Sequence, residues 1–311
     1  MGAELIPDPH DDRPAVDVSV VLPVFNESGH LEKEIHRIRE ALSASEFTFE
    51  IIVVDDGSTD GSRDILRGID DIRLLPFATN RGAGSARKYG TLAARGTYVV
   101  WTDVDMTYPN DTIPDLVREV QGYDQVVGAR RTEEGTVRLL RRPAKWLIRR
   151  LAGYLTGAKI PDLNSGFRVF RRDVAGQFLH LLPTGFSCVT TITMAFLSNG
   201  YSVKYVPIDY FPREGESKFH WWSDTRRYLL QVVRMILSYS PLKVLMPPAA
   251  LLFLVGGGKL IFDVFDKDFR IGTNTIVVLG GALALALLGM LADLLVQLNK
   301  KRHDVIPATL R

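Results

Sequence analysis

VVLPVFNE (residues 20–27) and VVDDGSTDGS (residues 53–62) each close a short β-branched run with turn-forming or acidic residues. A segment with helical character follows each of them, and this alternation is typical of an α/β domain with a mostly parallel sheet. In such sheets a ligand lies in the crevice beyond the carboxyl ends of the strands. The predicted strands are residues 18–24, 50–54, 98–101 and 125–127, and the predicted helices are residues 31–43, 61–67, 84–94 and 113–121.

The ends of the first two strands carry candidate ligand-binding residues. Pro23 interrupts the first strand, and Phe25 and Glu27 follow it at the edge of the crevice. Asp55 and Asp56 end the second strand, where a carboxylate accepts hydrogen bonds from a base N–H or from ribose hydroxyls. Capping of the next helix is the alternative role for Asp56.

The glycine-rich segment RGAGSARKYG (81–90) is a weaker candidate. Its glycines let the backbone approach a ligand, and Arg87 and Lys88 are placed to meet diphosphate oxygens. It lacks the Gly-Lys-Ser/Thr ending of a phosphate-binding loop, so a plain turn into an exposed basic helix explains it equally well.

YVVWTDVDMTYP (98–109) is the most informative segment, because two aspartates emerge where an apolar strand stops. Asp103 and Asp105 are two residues apart, so on an extended chain both project to the same side. Such a pair suits one Mg²⁺ or Mn²⁺ ion that also holds the two phosphates of a nucleotide-sugar. Two aspartates on a surface loop are the alternative.

With these motifs the chain resembles the family-2 glycosyltransferases of the GT-A fold, and within them the polyprenyl-phosphate sugar synthases such as dolichyl-phosphate mannose and glucose synthases. The resemblance covers residues 18 to about 240. It implies a catalytic domain that uses a nucleotide-sugar and a divalent metal. The motifs that carry it, in the family's order, are VVLPVFNE, VVDDGSTDG, DVD (103–105), DLNSGFRVF (162–170) and FPREGESKF (211–219).

The resemblance also implies roles for individual residues, carried over by position. On the donor side, the residues implied to contact the nucleoside are Pro23, Phe25, Glu27, Asp55 and Asp56, and Arg87 is implied to contact the nucleotide end. Asp103 and Asp105 are implied to bind the metal and diphosphate, with Thr107 as a third metal-side ligand. On the acceptor side, Asp162, Ser165 and Arg168 are implied to shape the sugar and acceptor site, and Arg130, Arg213 and Lys218 to hold the lipid phosphate or the leaving diphosphate.

Two departures qualify the resemblance. Where many relatives carry a glutamate after a Gly-aromatic-Ser step, this chain reads GFSCVTTIT (185–193), which leaves the sugar preference open. The Gln-x-x-Arg-Trp motif of the processive cellulose-synthase-like branch is missing, which favours transfer of a single sugar.

The C-terminal part contains two apolar stretches, residues 242–262 and 275–298, each long enough to cross a bilayer of about 30 Å. A buried core hairpin is the alternative. Basic residues flank the pair on its outer sides, which places both termini and the large N-terminal domain in the cytoplasm. Residues 1–17 lack the pattern of a secretory signal and are interpreted as a flexible leader.

A strongly basic stretch precedes the hairpin in sequence. Residues 130–150 hold eight Lys or Arg against Glu133 and Glu134. The apolar positions of a helix at about 143–157 fall on one face, which predicts an amphipathic helix at the lipid headgroups, and residues 221–241 predict a second one. Ordinary packing on the sheet is the alternative for both. Such helices would draw the domain onto a bilayer and grip a lipid phosphate.

The predicted organisation is a leader (1–17), a GT-A catalytic domain (18–220), a juxtamembrane helix (221–241), and a transmembrane hairpin with a tail (242–311). Lys plus Arg total 38 against 36 Asp plus Glu, a balance too even to suggest a nucleic-acid partner on global charge, and none is expected. The single cysteine, Cys188, excludes an internal disulfide framework.

The predicted function is inverting transfer of one sugar from a nucleotide-sugar to polyprenyl or dolichyl monophosphate. A UDP-hexose or UDP-N-acetylhexosamine donor is favoured over GDP-mannose. A catalytically silent scaffold that binds nucleotide-sugars and a nucleotidyltransferase are the alternatives. Glycines in the two spans would permit homo-oligomers through close helix packing.

Overall fold

The computed structural model describes residues 15–131, 150, 153, 157–185, 187–211, 241–266 and 270–304. The chain divides into two compact units, residues 1–224 and residues 225–311, which are described separately. The juxtamembrane helix predicted at 221–241 lies outside the described residues except for its last residue. So do most of the leader and most of the interfacial helix predicted at 143–157.

The first unit is a seven-stranded sheet with helices between the strands. Its strands are β1 (Val18–Val24), β2 (Phe49–Asp55), β3 (Ile72–Pro76), β4 (Tyr98–Trp101), β5 (Gln125–Arg130), β6 (Arg168–Arg171) and β7 (Val203–Ile208). Its helices are α1 (Leu31–Ser43), α2 (Ser62–Arg67), α3 (Ala83–Ala93), α4 (Ile113–Arg118), α5 (Arg172–Gly176) and α6 (Cys188–Ser198), with 3-10 turns at Asn110–Thr112 and Leu179–Leu181.

The strand order is β3-β2-β1-β4-β6-β5-β7. All neighbouring strands pair in parallel except β6, which runs antiparallel to both β4 and β5. The central strands are buried on both faces, as expected of a parallel sheet covered by helices. The parallel arrangement brings the carboxyl ends of β1, β2 and β4 to one edge, which is where the predicted site residues follow their strands.

Helix α1 shows how the sequence covers one face of the sheet. Leu31, Ile35, Ile38 and Leu42 recur at helical spacing, and all four are buried in the main core cluster. Periodic apolar positions of this kind form the stripe that packs a helix on a sheet. The predicted mostly parallel α/β architecture is therefore confirmed.

The second unit is a pair of long helices, α7 (Pro241–Asp266) and α8 (Thr273–Asp304). Within them Pro241–Asp266 and Thr273–Leu298 have mean hydropathies of 1.8 and 2.4, and only 11% and 17% of their most apolar windows are buried. At 1.5 Å per residue, 26 residues give a helix of about 39 Å. Both helices are thus long and apolar enough to span a membrane.

Candidate active site

A cavity of about 190 Å³ opens at the carboxyl ends of β1, β2 and β4. It brings together most of the residues that the sequence places around a nucleotide and a metal. Those residues are Pro23, Phe25, Glu27, Asp56, Asp103 and Asp105. Gly82, one of the glycines that the sequence places near a ligand, lines it as well, together with Asn80 and Ala83, which were not singled out from the sequence.

The loops after β1 and β2 brace one another beside this cavity. The amide of Asn26 donates to Ser58 Oγ at 3.1 Å, the amide of Glu27 donates to Ser62 Oγ at 3.1 Å, and Thr59 N donates to Asn26 Oδ1 at 2.8 Å. Asn26 has a φ of +56°, a left-handed conformation that asparagine tolerates better than most residues. These hydrogen bonds between the two loops hold Glu27 at the rim of the cavity.

The two aspartates at the end of β2 have different surroundings. Asp55 is fully buried and accepts hydrogen bonds from Arg63 Nε at 2.5 Å and from Ser58 N at 3.0 Å. Asp56 lines the cavity and accepts from the amides of Arg81 at 2.6 Å and Gly82 at 2.9 Å. Burial raises the pKa of Asp56 above its ordinary value. Of the pair, Asp56 faces the cavity, and Asp55 is bonded to the loop that follows β2.

Two glycines of segment 81–90 allow the backbone at Pro183 and Thr184 to pack closely against it. A Cβ at Gly82 would collide with the carbonyl oxygen of Thr184, and a Cβ at Gly84 would collide with that of Pro183. The amides of Gly84 and Ser85 at the start of α3 donate to Thr184 O at 2.7 and 3.3 Å. The amides of Gly84 and Ser85 are therefore engaged within the protein, whereas Gly82 of the same segment lines the cavity, where the sequence places backbone near a ligand.

Arg87 projects from α3 into the protein interior. Its side chain is 1% exposed, and its Nη2 donates to Asp103 Oδ1 at 2.5 Å. Its Nη1 lies 3.9 Å from the Cys188 sulfur. Burial alone would lower the pKa of Arg87, but the neighbouring Asp103 carboxylate outweighs burial and raises it. The expected partner of Arg87 was the nucleotide. In the structure its guanidinium contacts the Asp103 carboxylate, and Arg87 is not among the residues that line the cavity.

Asp103 and Asp105 both line the cavity, as the spacing predicts. Asp105 Oδ1 accepts from Thr107 Oγ1 at 2.5 Å and from Thr107 N at 3.3 Å. Thr107 is 1% exposed, so the structure places it as a hydrogen-bond donor to Asp105, a position that differs from the expected metal ligand. Met106 between them has a φ of +63°, which turns the chain sharply after Asp105.

The donor set fits one hard cation that takes its other ligands from a diphosphate. Mg²⁺ and similar ions are commonly bound through one or two carboxylates plus substrate phosphates and water. Asp103 and Asp105 both line the cavity and can supply two carboxylates. Within the part of the chain that the structure describes, no group of three or more His, Cys, Asp or Glu side chains forms a metal cage.

The loop that contains DLNSGFRVF lies behind the aspartate pair and is anchored at Asp162. Arg130 donates to Asp162 through Nε at 2.7 Å and Nη2 at 3.0 Å, and its guanidinium carbon lies 5.2 Å from the centre of the Tyr210 ring. Burial alone would raise the pKa of Asp162, but the hydrogen bonds and charge of Arg130 lower it. Arg130 and Asp162 therefore form a bidentate ion pair.

Arg168 ties the same loop to α6. Its buried guanidinium donates to Val189 O and to Thr193 Oγ1, both at 2.7 Å, and to Ser165 O. Burial lowers the pKa of Arg168 to about 10. Ser165 is also fully buried. Arg168 thus holds the loop through the Ser165 carbonyl oxygen, and neither residue is among those that line the cavity.

Gly166 is the point where this loop touches the aspartate pair. Its amide donates to Tyr108 Oη at 2.8 Å. A Cβ at Gly166 would lie 3.0 Å from Asp103 Oδ2 and 3.2 Å from Arg87 Nη2. The loop is therefore packed directly against the pair of Asp103 and Arg87.

Two further predictions concern the acceptor side. Arg213 and Lys218 lie outside the described residues. Residues of the segment GFSCVTTIT form the start of α6, where Thr190 Oγ1 donates to Asn164 Oδ1 at 2.9 Å and Thr193 contacts Arg168. These threonines are buried in the protein.

A carboxylate pair on a cavity at the carboxyl edge of a mostly parallel sheet, with one antiparallel strand inserted, defines the GT-A class of glycosyltransferase folds. The chain belongs to glycosyl transferase family 2, whose profile matches residues 19–179. The resemblance inferred from the motifs is confirmed.

Two relatives from Haloferax volcanii are similar to this chain. A dolichyl-phosphate hexose transferase is 34% identical over 211 residues, which cover 65% of this chain and 86% of the relative. A low-salt glycan biosynthesis hexosyltransferase is 29% identical over 283 residues, which cover 88% of this chain and 66% of the relative.

An undecaprenyl-phosphate 4-deoxy-4-formamido-L-arabinose transferase from Aeromonas hydrophila is 30% identical over 212 residues, covering 65% of this chain and 62% of the relative. The match thus spans just under two thirds of the length of this relative and of the low-salt hexosyltransferase.

A solved structure has the same fold. Glucosyl-3-phosphoglycerate synthase from Mycobacterium tuberculosis, crystallised with Mn²⁺, uridine diphosphate and glucosyl-3-phosphoglycerate, superimposes with a TM-score of 0.57 at 20% identity. The alignment covers 71% of this chain and 80% of that chain. This likeness confirms the GT-A fold.

Proposed function

We propose that the protein transfers a single sugar from a nucleotide-sugar to the phosphate of a polyprenyl lipid, with the help of a divalent cation. The observation that carries the proposal is the placement of Asp103 and Asp105 on one cavity with Phe25, Glu27 and Asp56. The names of the family-2 relatives, which act on dolichyl or undecaprenyl phosphate, support the acceptor class.

On the donor side, the proposal assigns the nucleoside to the rim formed by Pro23, Phe25, Glu27 and Asp56. Asp103 and Asp105 would hold Mg²⁺ or Mn²⁺ together with the diphosphate. When bound, such a cation neutralises charge on the departing nucleoside diphosphate. Arg87 contributes by fixing the orientation of the Asp103 carboxylate, which it contacts at 2.5 Å.

The acceptor needs little chemical activation. The second pKa of a phosphate monoester is about 6, so the lipid phosphate is anionic near neutral pH. One of its oxygens forms a bond to the anomeric carbon while the bond from that carbon to the diphosphate oxygen breaks. The electron pair leaves with the diphosphate, and the configuration at the anomeric carbon is inverted. The protein supplies positioning and charge stabilisation.

The basic residues are assigned to the acceptor and leaving group. Arg213 and Lys218 are the proposed contacts to the lipid phosphate or to the departing diphosphate. Arg130 is bonded to Asp162 at 2.7 Å, so its proposed contact to phosphate requires that it share its guanidinium with that carboxylate. Asp162, Ser165 and Arg168 would shape the sugar and acceptor site through the loop that they anchor.

The proposal includes a membrane location. The two apolar helices would anchor the protein, and the basic flanks predict that the catalytic domain and both termini face the cytoplasm. A polyprenyl phosphate stays in the bilayer, so an anchored enzyme would share one membrane with its acceptor. A UDP-hexose or UDP-N-acetylhexosamine is the favoured donor class.

A panel of radiolabelled nucleotide-sugars tests this function. Each donor is incubated with the full-length protein, Mn²⁺ and polyprenyl phosphate, and label is counted in the organic phase. Transfer from at least one donor, dependent on the lipid, is expected. Tight donor binding in calorimetry without lipid-dependent release of nucleoside diphosphate would favour the silent scaffold. Formation of a nucleotide-sugar would favour the nucleotidyltransferase.

A further inference from the structure

Glu34 is a carboxylate in an unusual place. It lies on the apolar face of α1 beside Leu31, Ile35 and Ile38, and it is fully buried. Burying a charge is costly unless it is paired and hydrogen-bonded. Glu34 accepts from Asn110 Nδ2 at 2.5 Å and from Arg37 Nη1 at 3.2 Å. Glu34 is therefore both ion-paired and hydrogen-bonded, and its contact to Asn110 links α1 to the segment that follows β4.

Its partner Asn110 lies just after the aspartate pair and is also fully buried. The side-chain amide of Asn110 makes contacts in three directions. Its Nδ2 donates to Glu34 and, at 3.0 Å, to the carbonyl oxygen of Asp103. Its Oδ1 accepts from Thr102 Oγ1 at 2.5 Å. One amide therefore grips two consecutive residues, Thr102 and Asp103.

The Asn110 hydrogen bonds fix the chain just beyond the end of β4. The ladder between β1 and β4 ends at Trp101, so the regular strand pairing no longer fixes the residues that follow. The Asn110 amide holds the backbone of Asp103, while Arg87 holds the Asp103 carboxylate. Between them, both ends of the residue are oriented.

We propose that Glu34, acting through Asn110, is a positioning residue for the metal-binding carboxylate of Asp103. The inference rests on the proposed function, because it assumes that Asp103 binds a cation. Glu34 Oε2 and the Asp103 carbonyl oxygen both accept from the NH₂ group of Asn110, so the Asn110 oxygen faces the Thr102 hydroxyl. Groups hydrogen-bonded directly to a metal-ligating side chain typically change metal affinity roughly 10- to 100-fold when they are replaced. Glu34 lies one contact further away, so its replacement is expected to have an effect at or below the lower end of that range.

The test measures cation binding directly, without turnover. Free Mn²⁺ is quantified by electron paramagnetic resonance during titration of the full-length protein in the presence of UDP. Glu34→Met keeps a side chain of similar length and removes the acceptor, and it is expected to weaken Mn²⁺ binding by up to about tenfold. Glu34→Gln retains an acceptor oxygen and is expected to fall between that variant and the wild type.

Thr102→Val removes the hydrogen bond on the opposite side of the Asn110 side-chain amide. It is nearly isosteric and removes only the hydroxyl that Asn110 accepts from, so it tests the proposal even where Glu34→Met does not fold. UDP binding without metal is expected to be unchanged in both variants.

Glu50→Met is the matched control. Glu50 is also a buried carboxylate, and it accepts from Ser19 Oγ at 2.6 Å and Arg95 N at 2.7 Å near the start of β2, at the opposite edge of the sheet. Its replacement is expected to lower the melting temperature while Mn²⁺ affinity stays at the wild-type value.

A double-variant cycle with Asp103→Ala completes the test. If Glu34 acts through Asp103, then Glu34→Met has no further effect on Mn²⁺ binding once the Asp103 carboxylate is gone. Wild-type Mn²⁺ affinity in the foldable Glu34 and Thr102 variants, or equal losses in Glu34→Met and Glu50→Met, would overturn the proposal. Absence of Mn²⁺ binding by the wild-type protein would instead overturn the metal site itself.

Discussion

Replacing Gly166 by alanine places a methyl group against the aspartate pair. The new Cβ would lie 3.0 Å from Asp103 Oδ2, 3.2 Å from Arg87 Nη2 and 3.3 Å from Tyr108 Oη. The backbone at Gly166 has no left-handed φ, so alanine fits the chain itself. The perturbation is therefore confined to the ends of the neighbouring side chains.

The distance that the Asp103 carboxylate must move determines the expected loss of activity. An ordinary contact begins at 3.4 Å, so the Asp103 carboxylate must move by about 0.4 Å. Since a misplacement of about 1 Å at a reacting site can cost 10²-fold in rate, a proportional loss is roughly fivefold to tenfold in kcat/KM. The stability cost is about 1 kcal/mol, at the low end of the range for an added methyl group in a packed region.

The assay follows sugar label into the organic phase as Mn²⁺ concentration is varied. Gly166→Ala is expected to need more Mn²⁺ for half-maximal rate, because the shifted carboxylate is the proposed ligand. Gly176→Ala serves as the control, since no atom lies within 4 Å of a Cβ at that position. Wild-type rate and Mn²⁺ dependence in Gly166→Ala would refute the inferred role of this contact.

Arg213→Ala is expected to raise the KM for polyprenyl phosphate more than the KM for the donor, because a charge-assisted contact to phosphate is lost; an unchanged rate at low acceptor concentration would exclude that contact. Asp162→Asn is expected to lower the free energy of unfolding at pH 7 by about 1–3 kcal/mol through loss of its bonds to Arg130. The folded pKa of Asp162 lies below its ordinary value of 3.8, so this contribution is present above that pH and is lost as the pH falls through the folded pKa. Urea unfolding at pH 7 and pH 3 is expected to show a smaller difference from wild type at pH 3, and an equal difference at both would contradict the assignment. A chain truncated after residue 224 is expected to leave the membrane pellet, and its quantitative retention there would show that the hairpin is not the principal anchor.

The elements that sequence reasoning placed well are those with strong periodicity. The predicted bounds of β1, β4 and α1 agree with the structure, because buried runs and a regular apolar stripe define them. Strand β3 has a half-buried pattern at the sheet edge and was missed. Helix α6 (Cys188–Ser198) carries several β-branched residues in its first two turns, which lower its helix propensity, and most of its residues are buried.

The site was predictable where polar residues directly end a strand. Asp56, Asp103 and Asp105 reach the cavity for that reason. The inward orientation of Arg87 was not predictable, because its partner depends on side-chain packing across the fold. The contact between Glu34 and Asn110 joins residues 76 positions apart, and no local pattern marks it.

The most direct test of the central claim is metal removal followed by re-addition, with label transfer to polyprenyl phosphate as the readout. Protein stripped with a chelator is expected to lose transfer and to regain it with Mn²⁺, whereas Asp105→Ala is expected to stay folded and membrane-bound but to regain none. Undiminished transfer by the stripped wild-type protein, or near-normal transfer by Asp105→Ala, would show that the two aspartates do not hold a cation that the reaction needs.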